Sequence, residues 1–162
     1  MIALARVDNR LIHGQVVSTW IPHVRAQDVV VADDEAAGSP LMQMAMTMAV
    51  PPPVEVRIGA PGALDWAQLA ASPRRVLALF RDVGAVDAAR RAGLRIAALN
   101  LGNVHFAEGR RPLLASVFLS EDELRTLDRI AGEGVDIEAR AVPADTRIGL
   151  PELWARYRSR GG

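Results

Sequence analysis

The sequence predicts an α/β fold: one domain with a doubly wound, mostly parallel sheet of about six or seven strands and helices on both faces. Short aliphatic runs alternate with longer stretches of helical spacing, which is the element order that a parallel sheet requires. The aliphatic runs are nearly continuous, as expected for strands that are covered on both sides. No repeat or linker-like stretch divides the chain, so residues 1–162 are expected to form a single unit.

Seven aliphatic runs are predicted as strands, at residues 2–7, 29–32, 54–58, 76–79, 96–99, 117–119 and 137–142. Helical spacing predicts helices at residues 14–24, 39–49, 62–71, 83–92 and 120–132, and a shorter one at 151–157. Helix-start chemistry supports two of them. Ser120 with Glu123 forms a capping-box pattern, and Ser39 places a cap residue before a proline suited to the first turn.

Composition excludes several classes of function. The 19 basic residues equal the 19 acidic ones, which disfavours nucleic-acid binding because that needs a concentrated excess of cations. The chain has no cysteine, so disulfides, thiolate metal sites and cysteine nucleophiles are excluded. Its N-terminal apolar stretch is too short for a signal peptide, and prolines interrupt its longest apolar segment, so a cytoplasmic protein is expected.

Candidate chemistry is concentrated in one segment, Arg6-Val7-Asp8-Asn9-Arg10-Leu11-Ile12-His13-Gly14-Gln15-Val16. A strand is expected to end near Val7 and a helix to begin near His13 or Gly14. In a doubly wound sheet that junction lies at the carboxyl ends of the strands, where ligands bind. Free N–H groups and the dipole of the helix start favour a bound phosphate there, and they favour a neutral imidazole.

The residue types in this segment suit phosphoryl transfer, which depends mainly on positioning and charge stabilisation. Arg10 can offer a planar guanidinium to phosphate oxygens. Asp8 can orient Arg10 or hydrogen-bond His13, and so select the ring nitrogen that attacks. Gly14 leaves room for a phosphoryl group and a partner protein. From the residues alone, a purely structural role of His13 is the competing interpretation.

The same segment closely resembles the signature of the IIB components of the mannose/fructose/sorbose family of the bacterial phosphoenolpyruvate-dependent sugar phosphotransferase system (PTS). Similar stretches at residues 33–36, 48–52, 99–102 and 135–143 extend the resemblance over essentially the whole chain. The family often has other residues where this chain has Asn9, Ala32 and Asn103. The resemblance implies that His13 is phosphorylated, through Nδ1, and that Arg10 takes part in the transfer.

We expect Asp8 to complete the catalytic set. Arg6, Gly14 and Gln15 are expected to contact the phosphate or a partner. Because arginine and helix N–H groups can carry the phosphate charge, no metal or cofactor is expected.

The resemblance also implies a function, that of a protein-Nπ-phosphohistidine–sugar phosphotransferase. A phosphorylated IIA domain would donate to His13, and a hexose presented by the IIC and IID membrane components would be the final acceptor. The chain would then lie in the cytoplasm at the inner face of the cell membrane. A homo-oligomer is one arrangement that the sequence allows. A regulatory phosphohistidine module not coupled to sugar uptake is the alternative, and a hydrolase with His13 as general base is a third.

Two other histidines and an acidic run are weaker candidates. His105 follows the fifth predicted strand, at the same edge of the sheet as His13, and could contact phosphate or a partner. Loop stabilisation is the favoured interpretation for it. His23 is expected to face solvent or to cap carbonyl groups at the end of the first helix. The run Asp33-Asp34-Glu35 is interpreted as a helix start rather than as a magnesium site.

Overall fold

The computed structural model describes residues 1–161, which fold into a sheet with helices on both faces. Its strands are β1 (Ile2–Asp8), β2 (Asp28–Ala32), β3 (Glu55–Gly59), β4 (Val76–Phe80), β5 (Ala98–Asn103), β6 (Arg111–Leu114), β7 (Val117–Leu119), β8 (Asp136–Ala139) and β9 (Ile148–Gly149). Seven of these described strands form the main sheet, in the order β3-β2-β4-β1-β5-β8-β9. Neighbours from β3 to β8 run parallel and β9 is antiparallel to β8, so the predicted mostly parallel, doubly wound sheet is confirmed.

A π-helical segment (Val16–Trp20) runs directly into the first α-helix. The α-helices are α1 (Ile21–Val24), α2 (Asp34–Ala37), α3 (Pro40–Ala49), α4 (Trp66–Ala71), α5 (Val83–Arg91), α6 (Glu121–Gly132) and α7 (Leu150–Ser159). Ser39 caps α3, and Ser120 with Glu123 forms the predicted capping box of α6. Within residues 1–161, no helix is both long and apolar enough to cross a membrane.

The structure differs from the predicted strands at β5, β7 and β8, and it contains two strands, β6 and β9, that the sequence pattern does not predict. β8 ends at Ala139 rather than at residue 142. β5 runs beyond its predicted end at residue 99, because its pairing with β1 extends to Asn103. The predicted strand at 117–119 exists as β7, but it pairs with β6 in a separate antiparallel hairpin. Pro112 in β6 lacks an N–H group and suits such an edge strand better than a central one. β9 has two residues, which is too short to produce a periodic signal.

The main sheet separates two apolar layers. Ala5 and Val7 of β1 point into the layer that contains α4, α5 and α6, whereas Trp20 and Val24 pack with Leu77 on the other side. The segment that follows β1 therefore packs on one face of the sheet. The segments that follow the neighbouring strands β4 and β5 pack on the other face. Strands whose connections diverge in this way open a crevice at their carboxyl ends. The end of β1 lies at such a crevice.

Gly102 in β5 is required by packing against the neighbouring strand. A Cβ built on Gly102 would overlap the guanidinium carbon and both terminal nitrogens of Arg6 on β1. The side chain of Arg6 is fully buried, so it has no exposed position to which it could retreat. A glycine inside a strand is typical of such a close approach.

Gly102→Ala is expected to lower the free energy of unfolding by about 3 kcal/mol, because the added methyl group must displace a buried charged side chain. Denaturation with urea measures the change. Gly132→Ala in α6 is the control: a Cβ there meets no described atom within 4 Å, so stability should change by less than about 1 kcal/mol. Equal stability of the two variants would contradict the packing role of Gly102.

Candidate functional site

Asp8 ends β1 with a completely buried carboxylate that accepts five hydrogen bonds. Its Oδ1 accepts from the backbone N–H and the Nε–H of Arg10, at 3.1 Å each. Its Oδ2 lies 3.0 Å from Arg6 Nη2, 3.1 Å from Arg10 Nη2 and 2.9 Å from His13 Nε2. Burial acts to raise the pKa of Asp8. The hydrogen bonds from Arg10 and His13 and the charge of Arg6 outweigh burial and hold that pKa below its ordinary value.

His13 has one ring nitrogen bound inside the protein and the other without a partner. Its Nε2 contacts an ionised carboxylate, which can only accept, so Nε2 carries the hydrogen and Nδ1 keeps its lone pair. Nδ1 has no hydrogen-bond partner among residues 1–161, and 17% of the side chain is exposed. Asp8 thus fixes both the orientation and the tautomer of the imidazole.

A left-handed turn brings His13 back over the end of β1. Leu11 has a φ of 59°, a conformation that costs a non-glycine residue about 1–2 kcal/mol. Its N–H donates to the carbonyl of Asp8 at 2.8 Å, and its side chain is buried. A helical segment begins at Gly14 immediately afterwards. Burial of Leu11 therefore stabilises the strained turn that places His13 on Asp8.

Arg10, Gln15 and Gly14 form the outer side of the site. Arg10 binds Asp8 through Nε and Nη2 while 40% of its side chain stays exposed, so it is both oriented and accessible. Its Nη2 also approaches Gln15 Oε1 at 3.4 Å. A Cβ on Gly14 would meet no described atom within 4 Å, so the space beside it is open. The structure thus places four of the six predicted site residues, Arg10, His13, Gly14 and Gln15, at one surface, with a fifth, the buried Asp8, directly beneath them.

The sixth, Arg6, does not contact this surface, and the expectation that it binds phosphate or a partner is wrong. Its side chain has no exposed area. Besides Asp8, it donates to Asn100 Oδ1 through Nη1 and to the carbonyl of Ala141 through Nη2 at 3.0 Å. Its guanidinium lies 4.6 Å from the ring centroid of Trp20, whose Nε1 donates to the same carbonyl at 3.0 Å. Arg6 therefore supports Asp8 from inside the protein.

Arg6 is also the first member of a polar row, Arg6–Asn100–Glu138, that crosses β1, β5 and β8 in register. Asn100 Nδ2 donates to Glu138 Oε1 at 2.9 Å, and Glu138 also accepts from Arg140 Nε at 3.1 Å. All three members of the row are buried. Asn100 and Glu138 are not among the predicted site residues. The signal for them in the sequence is a polar residue in the interior of a short apolar strand.

His105 lies at the same edge of the sheet as His13, as expected, and connects to the site through two asparagines. Its Nε2 is 3.1 Å from Asn103 Nδ2, which also contacts Asn9 Oδ1. Two of the departures from the family pattern, Asn9 and Asn103, therefore pair with each other across the ends of β1 and β5. His23 is exposed on α1, and its ring lies nearly perpendicular to that of Trp20.

The acidic run after β2 is a helix start, as interpreted from the sequence. Asp33 caps α2 by accepting from the N–H of Ala36 at 2.9 Å. Both oxygens of Asp33 also bind Arg81 at 2.7 Å, and these hydrogen bonds lower the pKa of Asp33. In the part of the chain that the structure describes, no three acidic or histidine side chains are grouped to hold a metal ion.

Asp8→Asn is expected to lower the free energy of unfolding at neutral pH by about 3 kcal/mol, because it leaves Arg6 buried without its carboxylate. A carboxyl group whose pKa is lowered by folding stabilises the protein above its unfolded pKa, and that contribution is lost as pH falls through the folded pKa. The stability difference between wild type and variant should therefore shrink from about pH 6 to about pH 2 in urea titrations. A difference that does not change with pH would contradict the lowered pKa of Asp8.

Comparison with known proteins identifies the family of this chain. The family model described as PTS system sorbose subfamily IIB component matches residues 2–160. The fructose-specific EIIB component of Bacillus subtilis is 30% identical over 149 residues, which cover 89% of this chain and 90% of that protein. The mannose-specific EIIAB component of Escherichia coli K12 is 27% identical over 160 residues, 94% of this chain and 48% of that protein. This chain spans about half the length of the mannose-specific relatives it matches.

Solved structures of related proteins have the same fold over almost the whole chain. The crystal structure of manxB from Thermoanaerobacter tengcongensis matches with a TM-score of 0.88 and 34% identity, covering 97% of this chain and 96% of that one. The IIBSor domain of the sorbose permease from Klebsiella pneumoniae matches with a TM-score of 0.85 and 26% identity, covering 95% and 96%. The chain therefore belongs to the sorbose subfamily of the IIB components of the phosphotransferase system.

Proposed function

We propose that this chain is a phosphoryl carrier, which accepts a phosphoryl group on His13 from a phosphorylated IIA domain and passes it to a sugar. The observation that carries the proposal is the state of the imidazole. Its Nε2 is held by a buried carboxylate, and its Nδ1 lone pair is unpaired within residues 1–161. In the neutral imidazole this nitrogen is a nucleophile that needs no base, because it has no proton to lose.

In the transfer, the Nδ1 lone pair forms a bond to phosphorus while the bond from phosphorus to the donor's imidazole nitrogen breaks. The donor takes back that electron pair, and the ring of His13 gains positive charge. Asp8 stabilises this charge because it stays ionised and accepts from Nε2–H. Donation to the sugar breaks the new N–P bond as a sugar hydroxyl oxygen attacks phosphorus, and Nδ1 recovers its lone pair. A base on the acceptor side takes the hydroxyl proton.

The outer residues suit the phosphoryl oxygens. Arg10 keeps Nη1 unbonded within residues 1–161 and is partly exposed, so its guanidinium can donate to oxygens on Nδ1 while Asp8 holds its Nε. The first N–H groups of the helical segment that begins at Gly14 are further donors. Gln15 orients Arg10 from the other side. These donors supply the charge stabilisation that phosphoryl transfer needs.

The relatives support a role in sugar uptake. Their names specify PTS proteins for mannose, fructose and sorbose, which favours transport over a purely regulatory module. We propose that residues 1–162 act as one IIB unit in the cytoplasm, at the inner face of the membrane, and as a protein-Nπ-phosphohistidine–sugar phosphotransferase. The IIC and IID components would present a hexose to phosphorylated His13. Because related chains serve different sugars, we assign the choice of sugar to those components.

His13→Ala is expected to abolish phosphorylation of the chain. Wild type incubated with phosphoenolpyruvate, the general PTS proteins and IIA should gain an acid-labile phosphoryl group, which NMR under alkaline conditions should locate on Nδ1. His23→Ala is the control and should label like wild type, since His23 is exposed and outside the site. Label on the His13→Ala variant, or a phosphoryl group on Nε2 of wild type, would refute the assignment.

Arg10→Gln is expected to lower the single-turnover rate of phosphoryl transfer from IIA by about 10²-fold to 10³-fold, because it removes a donor aimed at the transferring group. Arg10→Lys keeps the charge but loses the planar fork, and its rate should lie between the two. Arg125→Gln, at an exposed position of α6, is the control and should react like wild type. A wild-type rate for Arg10→Gln would exclude a role of Arg10 in the transfer.

A further inference from the structure

The polar row forms a hydrogen-bonded chain of fixed direction that ends at His13. Glu138 Oε1 accepts from Asn100 Nδ2, and this turns Asn100 Oδ1 towards Arg6 Nη1. Arg6 has only donors, and its Nη2 binds Asp8 Oδ2. The same Oδ2 accepts from His13 Nε2. An inverted Asn100 amide would set donor against donor and acceptor against acceptor, so Glu138 and Arg6 together hold this amide in one orientation.

Packing leaves the row little room to adjust. Gly102 lies directly against Arg6, and Trp20 covers the guanidinium of Arg6 from the helical side. Glu138 also holds Arg140 Nε, and the carbonyl of Arg140 accepts from both Arg6 and Asn100 at 3.3 Å. Glu138 therefore holds Arg140, just after the end of β8, as well as the side-chain amide of Asn100. Removing Glu138 takes away the acceptor that orients Asn100, and it thereby weakens the support of Arg6 beneath Asp8.

We infer that Glu138 is a positioning residue for phosphoryl acceptance, acting on His13 through Asn100, Arg6 and Asp8. The inference rests on the proposed function for its kinetic effect. Glu138 is 5% exposed and Asn100 is fully buried, so neither can touch the donor protein or the phosphoryl group. An effect of Glu138 on transfer is therefore indirect, and the row is the hydrogen-bonded route that reaches His13.

The test is the single-turnover rate of phosphoryl transfer from phosphorylated IIA to the full chain, at several IIA concentrations. Glu138→Met is expected to lower the maximal rate by roughly ten- to a hundredfold, because His13 loses its fixed geometry. The apparent KM for IIA should stay within about twofold, because the docking surface is unchanged. Glu138→Gln offers an amide oxygen to Asn100, and it should retain most of the wild-type rate.

A second readout is the tautomer of His13, measured by ¹⁵N NMR on the unphosphorylated chain. Wild type should show Nε2–H alone. Glu138→Met should show a fraction of Nδ1–H as well, because weaker support of Asp8 loosens its contact with His13 Nε2. A role limited to stability would not change the tautomer. If Glu138→Met does not unfold cooperatively, Asn100→Ser replaces it, since this variant breaks the row without changing the net charge.

Asp28→Leu is the matched control for removing a buried strand carboxylate. Asp28 is 1% exposed and pairs with Arg74 at 2.6 Å. It begins β2, which lies on the other side of β1 from β8. It has one oxygen without a partner, as Glu138 does. Asp28→Leu should keep the wild-type rate and tautomer. The same losses in Asp28→Leu would overturn the inference, and so would a wild-type rate and tautomer in Glu138→Met.

A double-mutant cycle tests the route. In an Asp8→Asn background, Glu138→Met should cause no further loss of rate, because its effect already passes through Asp8. Additive losses would overturn the inference. If wild type accepts no phosphoryl group from IIA, the proposed function fails instead. The tautomer comparison, and the rate of labelling by the small donor phosphoramidate, would then still decide whether Glu138 positions His13.

Discussion

The carboxylate of Asp8 has no contact with solvent, and a buried negative charge is stable only where donors surround it. Its donors come from three parts of the chain: Arg6 in β1, Arg10 in the turn and His13 at the start of the helical segment. Satisfying one charge therefore fixes the conformation of the whole turn. The left-handed Leu11 is maintained by this requirement together with its own burial.

Arg6 lies beneath Asp8 and is itself a buried charge, so it also needs hydrogen-bond partners inside the protein. A buried guanidinium needs acceptors. Besides Asp8, Asn100 accepts from Nη1 and the carbonyl of Ala141 accepts from Nη2, whereas Nε has no partner among residues 1–161. The guanidinium also needs space, which Gly102 leaves in β5, and an apolar cover, which Trp20 provides. Asn100 in turn requires an acceptor, which is Glu138. The polar row across β1, β5 and β8 thus follows from the need to compensate the buried carboxylate of Asp8.

The sequence allowed the fold class and most of the site to be predicted, because the residues around His13 are neighbours in the chain. Asp8, Arg10 and His13 are held together by a turn of a few residues, and local spacing is enough to group them. Asn100 and Glu138 join the site only through the register of β1, β5 and β8, which no local pattern contains. The place of Arg6 in the motif predicts contact with phosphate or a partner. Strand alternation instead puts Arg6 on the same covered face of β1 as Asp8.

The site is fixed on its inner side and open on its outer side, and Gly14 makes this division clear. Nothing inside the described chain requires glycine there, since its φ is not in the left-handed region and a Cβ would meet no atom within 4 Å. We propose that its small size leaves room for the groups that approach from outside. A carrier must meet a donor and later an acceptor at the same nitrogen, so the contacts that orient that nitrogen cannot come from either partner. In the proposed carrier, the buried row would supply this orientation beforehand, and the outer face would be free to fit two different surfaces.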